Sequence, residues 1–248
     1  MYKYLLNKLP RPLLIRLSYV FRWIAPLFLK GNKVECNVCN KHFRKFLSYG
    51  ATVRTNVLCP NCLSLERHRL MWMFLQTKTD FFTANKTVLH IAPEQCFLKR
   101  FKSMKNLKYT TADIVSPIAD VKMDLHHAPF EDNTFDVIFC NHVLEHVEDD
   151  KQCMRELYRM LKPGGFGIFQ VPIDYTRETT YEDKNIVTPE DREKHFWQKD
   201  HMRLFGRDYN KQLETVGFKV ECNEMAKTAV NGDRYRLMKE EILYISRK

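Results

Sequence analysis

The sequence predicts an α/β protein: a doubly wound, mostly parallel sheet preceded by a small cysteine-bearing module. Three observations carry this. From residue 80 onward, short β-rich apolar runs alternate with helical patterns, as strand–helix–strand units require. One of those runs, Thr134 to Cys140, is nearly all apolar, as a strand covered on both faces must be. Upstream, two Cys-x-x-Cys pairs stand nineteen residues apart, a spacing that suits a structural metal site.

The 248 residues and 29.7 kDa allow one large domain and one small module. With 44% hydrophobic and 28% charged residues, disordered and fibrous classes are excluded. No apolar run reaches the roughly 18–20 residues of a spanning helix. We divide the chain into a basic segment (1–33), a module with a linking helix (34–76) and a main domain (80–248).

The net charge of +10 is unevenly placed: residues 1–34 hold seven basic side chains and no acidic one. The remainder is only mildly basic, a poor case for a nucleic-acid face. In the first segment Leu6, Leu9, Leu13, Leu17, Val20, Ile24 and Phe28 form one helical stripe. Pro10, Pro12 and Pro26 confine the unbroken helix to Leu13 to Ala25. Tyr19 and Trp23 lie near the edge of the stripe, where amphipathic rings suit a lipid headgroup region. The stripe either packs on the protein's own body or lies peripherally in a membrane surface. Arg16 and Arg22 interrupt it, which argues against a secretory signal.

In the module, Cys36, Cys39, Cys59 and Cys62 would point four thiolates at one tetrahedral centre, a structural zinc site with no open position. Iron held by the same four sulfurs is the alternative. Asn40 can take the left-handed backbone that closes the first turn. Ser64 is the expected cap of the helix Leu63 to Gln76, and Arg67, His68 and Arg69 read as a solvated basic face. Cys96, Cys140, Cys153 and Cys222 read as reduced, buried small hydrophobes, so the expected compartment is the reducing cytoplasm.

The main domain is expected to run through strands at Thr87–Ile91, Lys108–Ala112, Ala119–Met123, Thr134–Cys140 and Phe166–Val171. Helices are expected at Phe97–Met104 and Asp149–Leu161, the second ended by the glycines of Lys162 to Gly165. A helix at Gly206–Val216 and strands at Phe218–Cys222 and Ile242–Ser246 complete it. Ligands bind such sheets beyond the carboxyl ends of the strands.

The stretches NTFDVIFCNHVLEHVEDD and RELYRMLKPGGFGIFQVP resemble the class I S-adenosylmethionine-dependent methyltransferases (methyltransferase type 11), whose fold is a Rossmann-like sheet. The nearest pattern is the bacterial type in which a Cys-x-x-Cys module precedes SLERHR and LHIAPE. The resemblance spans about residues 36–248. It implies that the loop with His90, Ala92 and Glu94 carries the methionine part of S-adenosylmethionine. It implies that Asp113 accepts the ribose hydroxyls, Asp124 and Leu125 hold the adenine, and Asn141 and His142 lie near the sulfonium. Two departures stand out: the loop after the first strand has no glycine, and almost no helix separates the second and third strands.

His142, Glu145 and His146 also match H-x-x-E-H, a zinc-peptidase pattern that needs a long helix; here the motif follows a strand directly. The connection Pro172 to Phe205 is long, polar and aromatic, and acidic before residue 194, which favours a small-molecule or glycan acceptor over a phosphate backbone. His142 and His201 are the candidate bases for an oxygen acceptor. The competing readings are an RNA methyltransferase that grips nucleic acid with the module, and a binding protein that kept the fold without the chemistry.

Overall fold

A computed structural model describes residues 11–50 and 53–248, which divide into two units. The first comprises the described part of 1–82 together with 94–100 and 224–241; the second comprises 83–93, 101–223 and 242–248. Residues 224–241, placed by sequence within the main domain, thus belong with the module.

In the first unit, helix α1 (Arg11–Phe28) precedes two small hairpins. Strand β1 (Val34–Cys36) pairs antiparallel with β2 (Lys41–Phe43), and β3 (Leu47–Tyr49) with β4 (Arg54–Leu58). Helix α2 (Glu66–Lys78) follows. Pro26 does not end α1 as expected: it lacks one donor, and the helix has only two residues left to run. Of the predicted stripe, Leu6, Leu9 and Pro10 lie outside the described residues. Leu13, Leu17, Val20, Ile24 and Phe28 are exposed, with Trp23 at 78% and Phe28 at 73%. The opposite side is the attached one: Ala25 and Leu29 are buried, Ser18 donates to Gln95, and Arg22 Nε donates to the Asn61 carbonyl.

The second unit is built on a seven-stranded sheet. Its strands are β5 (Lys86–Ile91), β6 (Leu107–Asp113), β7 (Val121–Lys122), β8 (Phe135–Cys140), β9 (Leu161–Ile168), β10 (Lys219–Asn223) and β11 (Leu243–Arg247), in the order β10-β11-β9-β8-β5-β6-β7. All neighbours from β9 to β7 are parallel, while β11 runs antiparallel to both β9 and β10. Helix α3 (Gln95–Lys102) follows β5, α4 (Asp150–Met160) follows β8, α5 (Pro189–Phe196) lies in the long connection, and α6 (Tyr209–Glu214) precedes β10. One core joins Leu89, Ile91, Ile138 and Cys140 of the sheet to Met154 and Leu157 of α4 and Leu213 of α6. On alternate positions His90 and Phe139 meet Phe101 and Tyr109. β5 and β8 are therefore covered on both faces, which explains their unbroken apolar sequence.

The glycines of Lys162 to Gly165 do not cap α4. The helix ends at Met160, and Leu161 enters β9 at once, paired with Phe135 across an irregular register. Gly164 takes φ +78°, and a Cβ on Gly165 would sit 2.8 Å from the Asp136 carbonyl. These glycines serve a bulged strand start and a close backbone approach. Cys222, expected in the interior, is exposed on the edge strand β10, whereas Cys96, Cys140 and Cys153 are buried. Burial pushes the Cys153 thiol up to about 12.

Candidate active site and four-thiol centre

In a doubly wound sheet the connections leave β5 and β8 in opposite directions, and a crevice opens beyond their carboxyl ends. β5 lies between β6 and β8, so residues just after these strands share one edge. Ala92 follows β5 with φ +49°, its N–H on the Ala112 carbonyl at 2.9 Å. This is the left-handed conformation a glycine would supply, and the smallest side-chained residue occupies it instead. Asp113 ends β6, opposite Lys122 of β7. It is buried, and its Oδ1 accepts from the Val115 and Ser116 amides at 2.8 and 2.7 Å. That closes the short β6–β7 connection without a helix.

Asp124 follows β7 and caps a single 3-10 turn (Leu125–His127). Its Oδ1 accepts from His126 N at 2.9 Å and faces His126 Nδ1 at 2.7 Å. Hydrogen bonds from the His126 backbone and ring hold its carboxyl below the usual range. Leu125 beside it is buried. Asn141 and His142 follow β8. Asn141 Oδ1 accepts from Gln170 N at 3.1 Å, and His142 takes φ +56° with its N–H on the Gln170 carbonyl at 2.7 Å. A histidine held there carries the cost of a left-handed backbone.

The structure brings Ala92, Asp113, Asp124, Leu125, Asn141 and His142 to one end of the sheet. It does not do so for two other candidates. His90 is fully buried among Phe101, Tyr109 and Phe139, with Nδ1 2.7 Å from Tyr109 Oη, so its side chain belongs to the core. Glu94 belongs to the first unit, where its Oε1 lies 3.7 Å from His68 Nε2.

His142 and His201 meet through a shared neighbour. His142 Nδ1 is 3.1 Å from Glu145 Oε1, and Glu145 lies within ligand reach of His201. Residues 141–149 form turns rather than a helix, so His142 and His146 do not pair as the peptidase pattern requires. Instead, the His146 ring meets that of His201 at 4.7 Å. His201 is 1% exposed, with Nδ1 2.8 Å from the Phe196 carbonyl. Burial lowers its pKa, against the pull of Glu145.

Sequence reasoning missed the residue that fastens this region. Arg203, 1% exposed, donates to the carbonyls of Leu144 (2.8 Å), Val147 (2.6 Å) and Glu148 (2.8 Å), and pairs with Glu182 and Asp150 at 3.1 and 3.6 Å. It clamps the loop after β8 to the long connection. A lone arginine in a polar stretch carries no such signal in sequence.

In the first unit, Cys36, Cys39, Cys59 and Cys62 are buried, and their sulfurs all lie within 4.8 Å of one another. Cys36 and Cys62 are 3.5 Å apart, Cys39 and Cys59 3.7 Å. A tetrahedral ion about 2.3 Å from each sulfur would set them about 3.8 Å apart. Both turns close alike: Asn40 (φ +54°) donates to the Cys36 carbonyl and Leu63 (φ +63°) to that of Cys59. Ser64 is not the helix cap; its hydroxyl lies 3.1 and 3.2 Å from the sulfurs of Cys36 and Cys62. Burial opposes it, yet hydrogen bonds from Cys39, Cys59, Cys62 and Ser64 hold the Cys36 thiol well below its ordinary value. Arg69 is not solvated either. Fully buried, it donates to the carbonyls of Ser64, Val57 and Tyr235 and lies over the Phe46 ring.

Residues 76–169 match the methyltransferase domain family. The chain is 36% identical over 72 residues to the ubiquinone/menaquinone biosynthesis C-methyltransferase UbiE of Idiomarina loihiensis, covering 28% of this chain and 29% of that protein. It is 43% identical over 51 residues to the sterol 24-C-methyltransferase erg6 of Schizosaccharomyces pombe, covering 20% and 14%. The chain thus spans less than a third of the length of these curated relatives. Among solved structures the 4+2 cyclase SpnF is similar with a TM-score of 0.53 at 14% identity, covering 94% of this chain and 95% of that one. At that identity the likeness is one of fold. The sheet unit has a Rossmann-like methyltransferase fold. The matched domain and the relatives support a class I S-adenosylmethionine-dependent methyltransferase.

Proposed function

We propose that this protein transfers a methyl group from S-adenosylmethionine to a small-molecule or glycan-type acceptor. The observation that carries the reading is the grouping of Ala92, Asp113, Leu125, Asn141 and His142 at the strand ends of a sheet whose segment 76–169 matches the methyltransferase domain family. S-adenosylmethionine supplies a methyl carbon already activated by its sulfonium. Asp113, with one oxygen committed to its own loop, offers the other to the ribose hydroxyls. Leu125 forms an apolar wall for the adenine, and Asp124 would receive its amino group in exchange for His126. The Ala92 turn brings backbone close to the methionine end. Positioning then supplies much of the rate. His142, oriented by Glu145 through Nδ1, would take the acceptor's proton through Nε2; His201 is the second candidate base. The relatives' names, a quinone-biosynthesis and a sterol methyltransferase, support a small acceptor over nucleic acid.

The test is calorimetry with S-adenosylhomocysteine. The wild type should bind it, and Asp113→Asn, which keeps the loop's hydrogen bonds but not the charge, should weaken binding about 10- to 100-fold. Absence of binding at millimolar ligand would sink the reading. His142→Gln should bind the ligand normally while turnover of an acceptor falls on the order of a hundredfold.

The four-thiol centre would hold a structural zinc ion, as the sulfur separations support; metal analysis should return about one equivalent that Cys59→Ser releases. The outward face of α1 would rest on an anionic lipid surface. Its apolar side chains are exposed, residues 1–34 are basic without exception among charged groups, and no helix among the described residues is long and apolar enough to cross a membrane. Trp23 fluorescence should shift to the blue with phosphatidylglycerol vesicles, and Leu17→Glu should abolish the shift.

A further inference from the structure

We propose that Glu145, His146 and His201 form a second metal site, for a divalent first-row cation such as zinc, in the sheet unit and separate from the four thiols. One carboxylate oxygen and one nitrogen of each histidine ring lie within 4.8 Å of one another. An ion about 2.1 Å from each ligand would set them about 3.4 Å apart, which small side-chain rotations supply.

The hydrogen bonds decide which atoms face the ion. His201 Nδ1 is 2.8 Å from the Phe196 carbonyl, which only accepts, so Nδ1 carries the proton and Nε2 a lone pair. His146 Nδ1 faces the Asp200 carbonyl at 3.2 Å and the Asp200 carboxylate at 3.4 Å, again acceptors. His142 Nδ1 donates in the same way to Glu145 Oε1. Each ring is thus oriented by a carbonyl or a carboxylate on one nitrogen, the arrangement that metal-bound histidines use.

What remains is a buried set of acceptors. Glu145, 1% exposed, has Oε2 without a hydrogen-bond partner, and so has Nε2 of His201. Lone pairs buried without a donor are costly, and a cation satisfies several at once. A nitrogen and oxygen ligand set suits zinc, nickel or copper. The backbone is braced for the purpose: Met202 N donates to the Glu145 carbonyl at 2.8 Å, and Arg203 fixes Leu144 and Val147 on either side. The charge of Arg203 does not oppose an ion directly, because Asp150 and Glu182 engage it.

Three protein ligands leave a position open for water or an acceptor oxygen. That use rests on the methyl-transfer reading; the binding of the ion does not. An ion there would also claim the His201 lone pair, so His201 would orient an acceptor through the metal rather than remove its proton.

The experiment is metal analysis and zinc calorimetry on the full chain. The wild type should retain one equivalent more than His146→Ala, and Cys59→Ser should still bind that equivalent. His146 is partly exposed, so its loss should leave folding intact by circular dichroism; His201→Gln serves as the second ligand variant. Each should weaken zinc binding at this site by at least about tenfold. Equal zinc content and affinity in the wild type and both variants would overturn the proposal, whether or not S-adenosylhomocysteine binds. So would a wild type that takes up no ion beyond the four thiols, the pocket then holding a water or a shared proton.

Discussion

At the scale of single residues, one backbone position and one cation shape the strand-end loops. Ala92 sits at φ +49° where the strand must turn sharply. An L-residue there costs about 1–2 kcal/mol, part of which glycine would lose again in chain entropy. Ala92→Gly should therefore match or exceed the wild type by up to about 1 kcal/mol in urea unfolding, while Ala92→Val should lower the midpoint. A large loss in the glycine variant would show that the turn is not strained. Arg203 is the opposite case, a buried charge bound by three carbonyls and two carboxylates. Burial already pushes the Asp150 carboxyl up against the pull of Arg203. Arg203→Met strands these groups and should cost on the order of 3 kcal/mol. A variant as stable as the wild type would remove the clamp from the account.

At the scale of elements, strands were legible and local exceptions were not. The runs from Thr87, Lys108 and Thr134 emerge as β5, β6 and β8 with ends displaced by a residue, because short runs rich in β-branched and aromatic residues favour strands over helices. Helix α5 was missed although its signal is present: Thr188 caps Asp191 N, Pro189 opens the first turn, and Glu190 and Asp191 occupy it. Its polar sequence hid it from a search for apolar periodicity. The role of Lys162 to Gly165 was misread because a helix stop and a bulged strand start use the same residues. The candidate site was half legible: residues after strands follow from topology, but the burial of His90 and the joining of Glu145 to His201 depend on pleat and loop path. Helix α4 also braces the turn that carries Leu125. Glu156 accepts from Ala128 N at 3.0 Å and from Arg159 at 2.7 and 2.8 Å, just beyond the turn that carries Leu125. Hydrogen bonds from Arg159 lead in holding its carboxyl below the ordinary 4.5. A carboxyl lowered on folding stabilises fully above its unfolded value and loses this as pH falls through the folded one. The stability gap between wild type and Glu156→Gln should thus be constant near neutrality and shrink below about pH 4.5. A gap that persists unchanged into acid would refute this.

At the scale of the whole molecule, two units are interleaved in sequence, which no composition shift reveals. Chain order assigns 224–241 to the sheet, but the segment returns to the cysteine unit through specific bonds. Glu35 N donates to the Arg234 carbonyl at 2.9 Å, Arg234 Nε reaches Glu35 Oε2 at 2.8 Å, and Arg69 links the Ser64 and Tyr235 carbonyls. Ser64 in turn touches two of the four sulfurs. An ion at the thiols would therefore set the frame on which 224–241 is held. Where a small unit is organised by a metal, removing the ion removes folding free energy from that unit. Hydrogen exchange should then report separate units. After chelation, amides in 34–76 and 224–241 should lose protection together, while β5, β6, β8 and β9 keep theirs. The sheet does not need the ion, since its strands bury their own apolar side chains and pair through their own ladder. If the sheet strands exchanged as fast as the cysteine unit, the chain would unfold as one body, and the four thiols would be supporting the sheet itself.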